Sequence, residues 1–200
     1  MLPRAAALIL VVLAVACGGS QRLPRLEQGA VVLAFGDSLT LGVGARPEES
    51  YPAVLERAIG RKVVNAGVSG ETSAEGLARL PEAIDETHPA LVILCHGGND
   101  FLRRLEEAGT VSNVRAMIEL AKAHGAAVLL VATPRPGLPP SVPAFYAEVA
   151  KAEHVPLEDA VIRTIEFDNS LKSDYVHPNA EGYARMAQAI GERLRQAGAL

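Results

Sequence analysis

The sequence predicts an α/β protein, a three-layer α/β/α sandwich around a five-stranded parallel sheet of the flavodoxin-like type. Three observations lead there. From Ala30 onward, short apolar runs alternate with longer amphipathic ones. The short runs are continuously apolar, as strands buried on both faces are. Polar clusters carrying glycine follow them, at the carboxyl edge where an open α/β sheet binds its ligands.

The elements can be taken in order. The first strand is 30–35 (AVVLAF), cut off by Gly36-Asp37-Ser38. An amphipathic stretch over 51–59 predicts a helix, followed by a strand at 62–65. A helix over 72–87 leads to a strand at 90–95, and a helix over 112–124 to a strand at 126–132. A helix over 142–154, a last strand at 155–157 and a terminal helix over 179–197 complete the pattern. Strand-helix-strand alternation of this kind requires right-handed crossovers. The segment 133–143, TPRPGLPPSVP, contains five prolines and is neither helix nor central strand.

At 200 residues, 49% hydrophobic and 21% charged, the chain has room for one domain with a substantial core and not for two. The net charge of −4, the scattered basic residues and the absence of tryptophan argue against a nucleic-acid partner. The first residues read as targeting: Arg4, then an apolar run from Ala5 to Ala16 that is short for a bilayer span and shaped like a signal peptide over 1–16. An exported, periplasmic protein is expected. Ala14-Val15-Ala16-Cys17 has the form of a bacterial lipobox, and Ala14 with Ala16 also forms an ordinary cleavage site. Lipidation of Cys17, anchoring the protein on the periplasmic side of a membrane, is the preferred reading, because the cut would fall directly before the cysteine. Residues 17–29 then serve as a flexible tether ahead of the domain at 30–200.

Cys95, inside LVILCHGG, reads as a small core side chain. It points to the opposite face of its strand from His96, so no metal site is implied, and no cofactor is called for. His88, His124 and His154 sit at helix ends or turns and read as structural.

The polar clusters carry the chemistry. GDS follows the first strand, GVSGETS the second and HGGND the third, while DYVHPN precedes the last helix. Acyl transfer needs a nucleophile, a base, an acid to orient the base, and donors for an oxyanion. Ser38, His177, Asp174, and the pair Gly70 and Asn99 offer these in turn. Each also has a plainer reading: Asp37 and Ser38 as helix caps, Asn99-Asp100 as a turn, Asp174 as a helix-entry residue.

Taken in order, GDS, NAGVSGETS, GGND and D-x-x-H-P closely resemble the motifs of the SGNH (GDSL-type) hydrolases, and LARLPEAI with GGNDFLR is similar to their thioesterase I/lysophospholipase L1 and arylesterase branch. The resemblance covers the chain after the tether. It implies a serine esterase acting on aryl esters, acyl thioesters or lysophospholipids, with Ser38 as nucleophile, Asp174 and His177 completing the triad, and the Ser38 amide, Gly70 and Asn99 as oxyanion donors. His96 stands where many relatives carry a nonionisable or acidic residue.

Two other readings fit the sequence less well. A flavodoxin-like phosphate- or flavin-binding protein would use the loop after the first strand, yet the chain has neither a P-loop lysine nor GxGxxG. A conventional α/β-hydrolase needs GxSxG, which GVSG does not match, so Ser69 is not the nucleophile. No residues remain for a lid, and an open cleft for small or flexible acyl esters is expected. Phe101, Leu102, Leu138 and Val142 are the candidates for its acyl wall.

Overall fold

A computed structural model describes residues 21–200; the expected signal peptide and Cys17 lie outside the described residues. Five strands, β1 (Val31–Gly36), β2 (Lys62–Gly67), β3 (Leu91–Cys95), β4 (Ala127–Val131) and β5 (Leu157–Glu158), form one sheet in the order β2-β1-β3-β4-β5. Every pairing is parallel. The helices are α1 (Ser38–Leu41), α2 (Tyr51–Ile59), α3 (Ser73–Thr87), α4 (Gly98–Leu102), α5 (Glu107–Ala123), α6 (Phe145–Ala152), α7 (Val161–Phe167) and α8 (Ala180–Gln196).

Strand periodicity divides the core in two. On β1, Val32 and Ala34 face one way and join Leu55, Tyr183, Met186 and Ile190 in a layer beneath α2 and α8. Leu33 and Phe35 face the other way, onto Leu80, Val114, Met117 and Tyr146 beneath α3, α5 and α6. Burying each such side chain contributes about 1.5–3 kcal/mol, which is why β1 and β3, with two covered faces, read as unbroken apolar runs.

The chain leaves β1 toward β2 and later returns to β3 on the other side of β1, so a crevice opens between the carboxyl ends of β1 and β3. Gly36 is required at that point. A Cβ there would overlap the Thr40 hydroxyl and the Cys95 carbonyl, so glycine lets α1 turn sharply against the strand ends.

Several boundaries differ from those the pattern predicts. Helix α5 begins at Glu107, not near 112, because Thr110 is held by a hydrogen bond to buried Asp100 (3.1 Å), a contact that periodicity does not reveal. Helix α6 starts only after Pro143. Helix α7 went unpredicted: its β-branched sequence VIRTIEF is a poor helix former, but Glu158 Oε1 accepts from the amides of Ala160 and Val161 (both 3.0 Å) and starts the turn.

The expected tether over 17–29 is corrected over its described part. Leu23 and Leu26 are buried, and their amides donate to the carbonyls of Ala197 and Ala199 (both 2.8 Å). Arg61 caps the Leu26 carbonyl from Nε and Nη2 (3.3 and 3.2 Å). A composition rich in polar residues concealed two leucines spaced to reach the end of α8. Leu26→Ala is expected to lower unfolding stability by about 2–4 kcal/mol in urea titrations, as for a filled core site, where a solvated tether would show no change.

Candidate active site

Ser38 opens α1 at the end of β1, and its helix is capped by Asp37, whose Oδ1 accepts the Leu39 amide (3.0 Å). From the far end of the chain, the loop before α8 brings His177 to it: His177 Nε2 lies 3.0 Å from Ser38 Oγ and Nδ1 lies 2.7 Å from Asp174 Oδ2. Asp174 Oδ1 also accepts the amides of Val176 (2.9 Å) and His177 (2.8 Å). Modest burial works against its charge, but these amides and the imidazole outweigh it and hold the carboxyl below the usual range. Asp174 thus bonds the loop that carries His177 and orients the ring. A Nδ1–H donated to Asp174 leaves Nε2 as the acceptor facing the Ser38 hydroxyl, the tautomer that can remove its proton.

Gly70 and Asn99 line the same cleft. The Gly70 carbonyl accepts Arg103 Nη2 (2.6 Å), which ties its loop to the end of α4. The Asn99 amide nitrogen is already engaged, donating to the Glu71 carbonyl (3.0 Å) and to Asp37 Oδ2 (3.3 Å). The long bond to Asp37 is the one an oxyanion can replace. Burial pushes the Asp37 carboxyl up, against the pull of His96, the Leu39 amide and His177.

Behind these loops lies a polar scaffold that motif reading missed. Asp100 is buried and accepts the Ser73 amide (2.8 Å), the Ser73 hydroxyl (2.5 Å) and the Thr110 hydroxyl, joining α4 to α3 and α5. Glu71, next to Gly70, takes a two-pronged bond from Arg79 (2.7 Å at each oxygen) and has His96 Nε2 at 3.1 Å. His96 is fully buried, tilted against Phe35, and packs on Gly76, where a Cβ would come within 2.5 Å of the ring nitrogen. Its place is therefore to prop Glu71 beneath the Gly70 loop. Burial raises the Glu71 carboxyl, yet the bonds from Arg79 and His96 prevail and bring it to about 2. A run of consecutive polar residues, GETS, was the available signal for Glu71; the Arg79 partner is legible only in three dimensions.

The cleft has a volume of about 150 Å³, small beside the roughly 300–1,000 Å³ of drug-sized sites. Its walls correct the expected acyl lining. Of the four residues, Leu102 lines the cleft. Phe101 turns away toward Phe145 (ring centroids 6.3 Å apart), and Val142 packs on the core beneath α6. Leu138, 94% exposed, borders a neighbouring recess. Their places are taken by Leu39, Pro134, Pro136 and Val176, with Glu166 from α7. Backbone direction in the proline-rich loop, pinned by an Arg135–Glu107 ion pair and a bridge from Arg135 to Ser141, decides which of its residues face inward.

Comparison with known proteins identifies the family. The profile of the GDSL-like lipase/acylhydrolase family matches residues 34–185. The chain belongs to this family. It is 32% identical to esterase TesA of Pseudomonas aeruginosa over 187 residues, 86% of this chain and 92% of that protein. It is 31% identical to thioesterase 1/protease 1/lysophospholipase L1 of Escherichia coli K12, with 86% of each chain covered. Among solved structures, a crystal structure of TesA superposes with a TM-score of 0.74 at 30% identity, covering 84% of this chain and 99% of that one. Family membership sets aside the flavodoxin-like alternative: this GDSL-type chain is a hydrolase of esters. Among the described residues no group of three or more His, Cys, Asp or Glu side chains converges on a metal-sized site.

The Glu71 carboxyl has a pH consequence. Because folding lowers it from its ordinary 4.5 to about 2, its contribution is complete above about pH 4.5 and is lost as pH falls toward 2. Acid unfolding followed by circular dichroism should therefore be shallower over that window in Glu71→Gln, whose stability at neutral pH should be lower than that of the wild type.

Proposed function

We propose that this GDSL-family hydrolase cleaves small acyl esters and thioesters through an acyl-enzyme formed on Ser38. The observation that carries the reading is the unbroken line Ser38 Oγ, His177 Nε2, His177 Nδ1, Asp174 Oδ2 at the mouth of the cleft. His177 takes the hydroxyl proton as Ser38 Oγ attacks the carbonyl carbon, and returns it to the leaving alcohol or thiol as the carbonyl re-forms. Charge developing on the carbonyl oxygen is met by the Ser38 and Gly70 amides and by Asn99, which lets go of Asp37 as it does so. Water, deprotonated by the same imidazole, then releases the acid and restores Ser38.

A small cleft supports esters with short acyl groups as substrates, while the names of the relatives extend the range to thioesters and lysophospholipids. The assay is a panel of p-nitrophenyl esters, acyl thioesters and lysophospholipids, together with covalent labelling by an organophosphonate. Ser38→Ala should retain the wild-type circular dichroism spectrum while losing turnover by at least about a thousand-fold and losing all labelling. Label incorporated at another residue in that variant would remove Ser38 from its role.

We further propose that the protein works on the periplasmic side of a bacterial membrane, held there by a lipid on Cys17. The support is the lipobox-like sequence before that cysteine. With one anchor, Cys17→Ser should move the enzyme from the membrane fraction into the soluble periplasm. Wild-type protein found wholly in the aqueous phase of a detergent extraction would instead favour simple cleavage at the Ala14/Ala16 site.

A further inference from the structure

Glu166 is an acidic side chain in an otherwise unsuitable place. It sits in the last turn of α7, where the exposed carbonyls of a helix end disfavour negative charge. It lines the catalytic cleft and also the recess beyond it, so it stands where the two join, between Pro136 and Val176. Among the described residues no hydrogen bond or ion pair reaches its carboxylate. Lys172, the nearest cation, spends its ammonium on the Glu166 backbone carbonyl (2.8 Å).

The other charges around it leave it uncompensated. His177 and Asp37 lie at the Ser38 end of the cleft, and Lys172 and Tyr175 border the recess. Arg163 on its own helix borders a separate groove with Phe167, and Arg185 of α8 is paired with Glu181. Burial accordingly pushes the Glu166 carboxyl up to about 7, against a weaker pull from Lys172.

Pro134, Pro136, Val176 and Glu166 line the same cleft as Ser38, and Pro136, Glu166 and Val176 also line the recess beyond it. An acyl group small enough for the cleft of about 150 Å³ does not need the recess. A longer chain that extends into the recess passes Glu166 and strips its water, which is far costlier for an ion than for a neutral acid. Resting on the esterase reading above, we propose that Glu166 is the specificity-determining residue that limits acyl length, admitting chains beyond the cleft only when its carboxyl is neutral. Medium-chain acyl esters are thus taken in acidic surroundings and short ones throughout.

The test is the ratio of kcat/KM for p-nitrophenyl octanoate to that for p-nitrophenyl acetate, measured from pH 6 to pH 8.5. Any pH effect on the shared catalytic step acts on both esters and cancels in the ratio. In the wild type the ratio should fall about ten-fold as pH rises through 7, since the neutral fraction of the acid falls by at least that much. Glu166→Gln and Glu166→Leu should each abolish this slope, and Glu166→Leu should raise the ratio at pH 8.5 by about ten-fold. A wild-type ratio independent of pH, or a slope that persists in both variants, would overturn the assignment. So would an effect seen on alkyl acetates of varied alcohol length and not on varied acyl length. Failure of the wild type to hydrolyse either ester would count against the esterase reading itself, a result distinct from a flat ratio.

Discussion

The hydrogen bond between Ser38 and His177 joins residues 139 positions apart, and most of the architecture can be understood as what holds its two ends in place. Ser38 is set by β1, a strand covered on both faces, and by the sharp turn at Gly36. His177 is set by a loop docked through α8, whose apolar stripe, Tyr183, Met186, Ile190 and Leu194, lies in the same core layer as Val32 and Ala34 of β1. Tyr183 adds a direct strut, donating from its hydroxyl to the Val43 carbonyl just beyond α1 (2.7 Å). Burial of one helix therefore fixes a distance between two reactive atoms that no local structure could fix.

The side of the cleft that carries Gly70 and Asn99 is organised differently, by buried polar groups. Asp100 and Glu71 are nearly inaccessible carboxylates: Asp100 is bonded from α3 and α5, and Glu71 takes both prongs of Arg79 of α3, with the His96 ring 3.1 Å away at the end of β3. Such groups stabilise a fold only when fully satisfied, and they admit few alternative geometries. That exactness fixes the loops that carry Gly70 and Asn99 beside Ser38. The same physics makes Glu166 stand out, since it is the cleft's acidic residue to which no comparable partner is supplied.

The fold class, the five strands, their parallel order of β-α units and the clustering of the motifs on one edge were legible in the sequence. Apolar runs and helical periodicity report burial directly, and burial is what makes strands and helices there. Ser38, Asp174, His177, Gly70 and Asn99 were singled out by the order of their motifs, and the structure joins the first three in one hydrogen-bonded line and sets Gly70 and Asn99 in the same cleft. The tether, the start of α5, α7 and the acyl wall were not. Each depends on a specific contact that apolar periodicity does not report: Leu26 on the end of α8, Thr110 on Asp100, Val161 on Glu158 at the edge strand, and Pro136 on the course of a loop pinned by the Arg135–Glu107 pair.

By itself the sequence determined which side chains could do chemistry and that they would gather at one sheet edge, because strand and helix periodicities are local properties of the chain. Tertiary structure alone decided that Asn99 is bonded to Asp37, that His96 lies against Glu71, and that Glu166 lines the cleft while Val142 and Phe101 do not. Side-chain direction in loops and the company a buried charge keeps arise from packing between remote segments, and no spacing along the chain encodes them.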